Sequence, residues 1–234
     1  MPKDIFQFHK FTIKQDRCAM KVGTDGVLLG CWASLRAHAH LLDIGTGTGL
    51  IALMAAQRGA GKVDAVEIVP EAAQQAYENF ANSPWGNIIE VHTCDIRKYY
   101  PDCQYDFIWS NPPYYDNPLL PPDKARSIAR NSRTLPTEQL AQCVSRLLSA
   151  EGIFAVILPE ESAENMETSL AGHGLFLSRK TLVQSRPYKP VRRILMEFSQ
   201  KVTRTVETTL VLSEEQGERT DEYKMLTKDF YLTY

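Results

Sequence analysis

Short apolar runs alternate with amphipathic stretches along most of the chain. Leu41-Leu-Asp-Ile44, Val63-Asp-Ala-Val-Glu67, Ile88-Ile-Glu-Val91 and Tyr105-Asp-Phe-Ile-Trp-Ser110 are brief and rich in β-branched and aromatic residues, the pattern of buried strands. Between them, Leu50 to Arg58 and Glu71 to Ala81 have helical length, and Pro70 suits the first turn of the second. The alternation continues with an amphipathic helix over Thr137 to Ser149, a strand over Gly152 to Leu158, a helix over Glu160 to Gly172, and strands over Leu175 to Val183 and Ile194 to Phe198. Upstream, Val27 to Leu35 reads as a short helix with Thr24 or Asp25 as its N-cap. Downstream, Thr205 to Leu212 alternates like an added edge strand, and Tyr223 to Leu232 reads as a short packed helix. Strands that take turns with helices predict an α/β fold, doubly wound around a mostly parallel sheet, with ligands at the carboxyl ends of the strands.

Residues 1–23 break this rhythm. Phe6, Phe8 and Phe11 interleave with Lys3, Lys10, Lys14, Arg17 and Lys21. Such a segment is either a strand that packs its rings inward or a basic-aromatic contact arm, and packing with the lysines outward is favoured. The chain has 234 residues, 44% of them hydrophobic and 23% charged, enough to bury a core without disulfides or a structural metal. The expected organisation is one domain: an N-terminal lid and helix segment over 1–40, a core over 41–200 and a strand-and-helix extension over 201–234. The five cysteines are scattered with no CxxC pair, which points to reduced thiols in a cytoplasmic protein. His38-Ala-His40 has no second ligand pair at metal spacing, so no metal is expected. The longest strictly apolar run, Leu50 to Ala56, is too short to span a bilayer.

The chemistry gathers where the predicted strands end. Gly45-Thr-Gly-Thr-Gly49 follows the first core strand at once, and glycines there let the backbone pass close to a ligand beside a helix N-terminus. Glu67 ends the next strand at the spacing of an acid that takes ribose hydroxyls, and Asp95 lies just beyond the third. The fourth runs into Asn111-Pro-Pro-Tyr114. The prolines cannot continue a sheet ladder, so they stiffen a cluster of carbonyl acceptors beside the Asn111 side-chain amide and the Tyr114 ring. That arrangement suits a planar amino group. Asn-Pro pairs mark ordinary turns as well, and the functional reading rests on what precedes this one in the chain.

Net charge is −2, so overall charge makes no case for nucleic acid. Its distribution does. Lys124, Arg126, Arg130 and Arg133 fall in an acid-free stretch, and Arg179 to Arg193 is a second, containing Arg186, Lys189, Arg192 and Arg193 around Tyr188 and two prolines. Each is either a solvated face or a phosphate-contacting surface, and two of them flanking one candidate site favour phosphate.

Asp43-Ile-Gly-Thr-Gly-Thr-Gly49, Glu67, Asp95 and Asn111-Pro-Pro-Tyr114, in that order, resemble the class I S-adenosylmethionine-dependent methyltransferases, and the tetrapeptide resembles that of the amino-group N-methyltransferases. Met20-Lys-Val-Gly-Thr-Asp-Gly-Val-Leu-Leu-Gly30, Pro84-Trp85 and Arg186-Pro with Arg193-Ile-Leu are similar to the bacterial family that methylates N6 of adenine 37 in one valine tRNA. The resemblance implies a seven-stranded Rossmann-like sheet and S-adenosyl-L-methionine as cofactor. It implies that Gly45, Thr46, Gly47 and Gly49 bed the cofactor, that Asp43 stands near its amino group, and that Glu67 with Ile68 meets the ribose. Asp95 and the Ile96 backbone would take the adenine, while Lys21 and Thr24 would close over the methionine end. Asn111 and Pro112 would hold the target nitrogen, with Pro113 bracing them and Tyr114 stacking on the base. The implied partner is the anticodon loop of a tRNA, bound by a monomer with no membrane.

Rival readings remain at this stage. A protein glutamine N5-methyltransferase uses the same tetrapeptide on a side-chain amide, and the basic runs disfavour it. A DNA adenine methyltransferase would need a target-recognition domain. A cofactor-free RNA-binding relic fits poorly with intact glycine and acid positions. An NAD dehydrogenase accounts for the glycines and leaves Asn111-Pro-Pro-Tyr114 unexplained.

Overall fold

Residues 4–18, 21–113 and 135–232 are described by the structure, a computed structural model. Ten strands and six helices of four residues or more occur among them. They are β1 (Ile5–Gln7), β2 (Thr12–Lys14), α1 (Thr24–Trp32), β3 (His40–Ile44), α2 (Leu50–Gln57), β4 (Lys62–Glu67), α3 (Pro70–Ala81), β5 (Ile89–Thr93) and β6 (Tyr105–Ser110). After the undescribed stretch come α4 (Thr137–Leu147), β7 (Leu148–Pro159), α5 (Ala163–Gly172), β8 (Phe176–Gln184), β9 (Val191–Ser199), β10 (Val206–Val211) and α6 (Asp221–Thr227).

The main sheet has the order β10-β8-β9-β7-β6-β3-β4-β5, and only β9 runs against the rest. Its seven core strands carry the doubly wound pattern, and β10 is the added edge strand, laid parallel on β8. From β3 the chain builds outward to β4 and β5, then returns to place β6 on the other side of β3. This reversal opens a crevice above the carboxyl ends of β3 and β6, where doubly wound folds bind ligands.

Both faces of the sheet are covered, which is why its central strands are apolar on both sides. One core joins α1, α2 and part of α3 with Leu41, Val63, Ala65, Phe107 and Trp109. The other joins α4 and α5 with Leu42, Val66, Ile108, Phe154 and Val156. None of the described helices is long and apolar enough to cross a membrane. The five cysteines are free thiols.

The N-terminal rings pack inward. The β1–β2 hairpin buries Phe8 and Phe11, with Phe8 stacked on Phe11 and Tyr231, and Phe11 edge-on to Trp85.

Several element bounds differ from the expectation for local reasons. Helix α1 starts at Thr24 and stops at Trp32, its N-cap being Gly23 rather than Thr24 or Asp25, and Ala33 leaves helical ψ while its N–H closes on Leu29. The stretch from Glu160 opens as a 3-10 turn over Glu160–Ser162 before α5 begins. Helix α6 begins earlier than expected because the Thr220 side chain caps it, accepting from the Tyr223 N–H, and it ends sooner, at Thr227.

At the amino end of the sheet, buried Asp64 accepts from His40 Nε2 at 2.7 Å, His92 Nε2 at 3.1 Å and the Tyr105 hydroxyl at 2.9 Å. Burial opposes ionisation of this carboxyl, but those donors outweigh it and hold it well below the usual range. The network is at the opposite end of the strands from the crevice.

Candidate active site

The glycine loop begins where β3 ends. The Gly45 and Thr46 amides both donate to Val66 O, at 2.9 and 3.1 Å, bending the chain over the end of β4. Gly45, Gly47 and Gly49 take φ values of +75°, +57° and +87°, a conformation side chains resist. At Gly49 the demand is also steric, since a Cβ there would lie 2.3 Å from Phe80 Cε1. Helix α2 starts directly after it.

Glu67 organises this loop from below. Only 8% exposed, it accepts from the Gly47 amide through Oε2 and from the Val69 amide through Oε1, each at 2.9 Å. The Cys94 amide donates to Glu67 O at 3.0 Å, which brings Asp95 to the same edge. Asp95 caps the 3-10 turn Ile96–Lys98 and is clamped by the Arg97 guanidinium, whose Nε meets both carboxylate oxygens at 2.8 Å. That hydrogen-bonded cation, more than anything else, keeps the Asp95 carboxyl below its ordinary range.

Asp43 is the distinctive charge of the site. It is 0% exposed, and Oδ2 accepts from the Thr46 hydroxyl at 2.6 Å. Among the described residues, Oδ1 has no partner at full hydrogen-bond geometry. Burial pushes the carboxyl up to about 7; the Thr46 hydroxyl and the Ala52 amide offset that push only in part, and nearby Glu67 adds to it. A buried acid with an unmet oxygen under a glycine loop is matched by a cation with N–H groups to give, such as the ammonium of an amino acid. It is poorly matched by a pyrophosphate. The amides of Gly45, Thr46, Gly47 and Gly49 all donate within the protein, to Val66 O, Glu67 and Thr46 O, rather than standing ready for phosphate oxygens. Among the described residues, a Cβ on Gly45 would meet nothing within 4 Å, and one on Gly47 only Cys18 Sγ at 4.0 Å, so these two glycines border open space. The residues therefore fit the methionine end of S-adenosylmethionine and disfavour a dinucleotide.

The proline hook stands beside this space. Ser110 ends β6 opposite Ile44 and donates its hydroxyl to Ile44 O at 3.0 Å, pinning the two strand ends together. Asn111 follows directly. Its Nδ2 would lie 3.9 Å from a Cβ on Gly26, whose other neighbour is Leu50 Cδ2, so the hook meets the first turns of α1 and α2 at once. Pro112 and Pro113 follow without regular structure, and Tyr114 lies outside the described residues.

Other expected site residues are placed less uniformly. Thr24 opens α1, while Lys21 Nζ pairs with Asp4 at 3.0 Å near the N-terminal hairpin. Ile68 lies between Glu67 and the start of α3, and Ile96 is buried in its 3-10 turn. Arg193 Nε meets Asp25 Oδ2 at 2.7 Å, tying β9 to the start of α1. Arg186, Lys189 and Arg192 are exposed around the β8–β9 turn. Lys124, Arg126, Arg130 and Arg133 lie outside the described residues. Arg179, inside the second basic run, belongs to the fold. It meets both Glu197 oxygens, at 2.8 and 2.9 Å, and its guanidinium sits 3.8 Å over the Trp32 ring.

Two positioning residues escaped the sequence reading. Asn79 exchanges hydrogen bonds with the Lys14 backbone and donates to Thr48 O at 2.8 Å, and Gln75 takes the Arg17 N–H at 3.2 Å and donates to Asp16 at 2.6 Å. Together they fasten residues 14–17 to α3, and Asn79 ties the glycine loop to the same helix through Thr48 O. Polar residues four apart on the buried face of α3 were the available signal.

A family model described as "Methyltransferase small domain" matches residues 22–135. A relative from Bacteroides fragilis (strain YCH46), named tRNA1(Val) (adenine(37)-N6)-methyltransferase, is 45% identical over 99% of both chains. One of the same name from Trichodesmium erythraeum (strain IMS101) is 47% identical over 98% of both. The chain belongs to this methyltransferase family. Among solved structures, a predicted O-methyltransferase from Agrobacterium tumefaciens shares the fold at TM-score 0.70 and 20% identity, covering 88% of this chain and 96% of its own. A glycopeptide N-methyltransferase complexed with S-adenosylmethionine shares it at TM-score 0.58 and 13% identity, over 78% and 90%. These two bear on architecture alone, that of a class I methyltransferase.

Proposed function

We propose that this enzyme transfers a methyl group from S-adenosylmethionine to the exocyclic N6 of an adenine in a tRNA anticodon loop, at position 37 of a valine tRNA. The observation that carries this reading is the meeting of Asn111, pinned through Ser110 to Ile44, with an open glycine loop over a buried acid. The near-full-length relatives named for this reaction support the substrate.

S-adenosylmethionine supplies an electrophilic methyl on a sulfonium. The protein's part is to hold both reactants and to make the nitrogen reactive. Asp43 and the glycine loop take the methionine end, Glu67 keeps acceptor capacity for ribose hydroxyls, and Asp95 with the Ile96 backbone takes the adenine edge. Asp95 reaches that task already ionised and oriented by Arg97.

Adenine N6 is a weak nucleophile because its lone pair is delocalised into the ring. Asn111 Oδ1 and the Pro112 carbonyl accept its two N–H bonds, which favours a tetrahedral nitrogen and stabilises the positive charge that develops there. Pro113 keeps the acceptors from swinging. Tyr114 is assigned the face of the base. The hook's part in the transfer would be to aim this nitrogen at the methyl donor held by the glycine loop. No general base is required, since the methylated nitrogen is acidic enough to lose its proton to water. An anticodon-loop adenine is already unpaired, so drawing it into the hook costs little.

Asn111→Ala tests the assignment. Methyl transfer to tRNA is expected to fall at least about 100-fold, the scale of losing a transition-state hydrogen-bond partner. Calorimetric binding of S-adenosylmethionine stays within about threefold of wild type. Retained turnover removes Asn111 from the reaction.

A further inference from the structure

The β8–β9 turn carries an aromatic ring that the fold does not use. Tyr188 is 92% exposed, and its backbone sits at φ +60°, a left-handed conformation that tyrosine adopts at a cost. The exposed ring gains nothing from folding while its backbone carries a cost, and such outliers gather at functional positions. Neither feature comes from a loose loop. The Lys189 amide closes on Arg186 O at 3.2 Å, Gln184 Nε2 donates to Lys189 O at 2.8 Å, and Pro187 and Pro190 fix the flanking backbone. The ring is therefore presented on a preformed support, which lowers the ordering cost of binding.

Its surroundings narrow the ligand. From Gln184 to Arg193 there is no acid, and Arg186 and Lys189 in the turn and Arg192 at the start of β9 are exposed. Cations beside a bare aromatic face suit a single-stranded nucleic acid, whose bases stack while its phosphates meet the cations. One acidic turn comes near: a Cβ on Gly217, between Glu215 and Glu218, would lie 3.8 Å from Arg186 Nη2. That makes Arg186 a weaker phosphate partner than Lys189 or Arg192.

Position relates this turn to the hook. Strand β8 ends at the same edge as β6, because β9 alone reverses. Ser110 is level with Val156 on β7, and Arg193 is opposite Pro159, three residues beyond Val156. The base of the turn thus rises about 10 Å above the hook's level and stands two strands to the side. A few nucleotides of single strand span that gap.

We propose that Tyr188 is a stacking platform for an unpaired base of the RNA substrate a few nucleotides from the methylated adenine, with Lys189 and Arg192 taking the adjoining phosphates. This rests on the tRNA reading above and adds a base-binding position to it.

The test separates ring from backbone. Asn tolerates left-handed φ, so Tyr188→Asn removes the ring and spares the turn, while Tyr188→Phe keeps the ring. With unmodified valine tRNA as substrate, the expected result for Tyr188→Asn is a KM for tRNA about 5- to 100-fold above that of wild type, the range set by one base stack. Its kcat stays within about twofold, and Tyr188→Phe behaves as wild type. Anticodon stem-loops with 2-aminopurine at each unpaired position within a few nucleotides of the target adenine include one that loses fluorescence on binding wild type and Tyr188→Phe, and keeps it with Tyr188→Asn. Lys189→Ala lowers the slope of log affinity against log salt by about one. Equal KM values for wild type and Tyr188→Asn overturn the proposal, as does a loss shared equally by Tyr188→Phe. If wild type itself methylates no adenine in tRNA, the substrate reading fails first, and that outcome is visible before any variant is made.

Discussion

Asp43 shows how one side chain links the fold to its ligand. Its carboxyl titrates near 7 because burial penalises the charged form. In the protein alone, a folded value above the unfolded one, about 3.9, means the folded state binds the extra proton, so this group costs stability progressively as pH rises from about 4 to about 7. A ligand ammonium reverses the preference, since it favours the ionised carboxylate. S-adenosylmethionine affinity should therefore rise with pH through about 7, and binding below that pH should release a proton. Calorimetry in buffers of different ionisation enthalpy reads that proton directly, and Asp43→Asn should bind weakly at all pH values without releasing it. Binding that is flat with pH in wild type counts against Asp43 as the partner of the amino group. The sequence made Asp43 legible as a position through Asp-Ile-Gly-Thr-Gly-Thr-Gly. Its missing partner was not legible, because burial and the geometry around Oδ1 exist only in the folded chain. Asp95 teaches the converse. Its role is marked by spacing, yet the Arg97 clamp that orients it depends on a 3-10 turn that periodicity does not reveal.

At the scale of elements, the second basic run divides into parts that sequence alone joined. Arg186 and Lys189 ride on an exposed turn and Arg192 is exposed at the start of β9, whereas Arg179 sits within β8 and is consumed by the packing of α1 against β9. Glu197, 3% exposed, accepts from Arg179 and from the Ser34 amide and hydroxyl. Arg179→Ala leaves that charge with only the Ser34 groups as donors. A loss of about 3 kcal/mol is expected, visible in chemical denaturation, since breaking a largely buried pair strands its partner. The salt slope of RNA binding should not change. A variant as stable as wild type but weaker on RNA returns Arg179 to the binding surface. Helices α3 and α4 were readable from their amphipathic period, and α2, apolar all round, from its length and the glycines before it. Helix ends were not, since Gly23, Thr220 and the turn at Glu160–Ser162 set them by capping and local geometry. The burial of Phe8 and Phe11 was a correct choice between two readings that the residues left open.

For the molecule as a whole, the order of strands does what no single motif can. Reversal between β3 and β6 brings the glycine loop and the proline hook, more than sixty residues apart in the chain, to neighbouring strand ends. Doubly wound folds host many chemistries, so architecture alone leaves the reaction open. The donor set above the crevice narrows it: loop amides already engaged, a buried acid awaiting a cation, and a rigid amide beside them. The measurement closest to the central claim is a single incubation of the purified protein with isotope-labelled S-adenosylmethionine and unmodified valine tRNA, followed by digestion and mass spectrometry of the nucleosides. The account predicts label in N6-methyladenosine at one stoichiometric site in the anticodon loop. Label in any other nucleoside, or in a glutamine of an added protein and none in the tRNA, would contradict it.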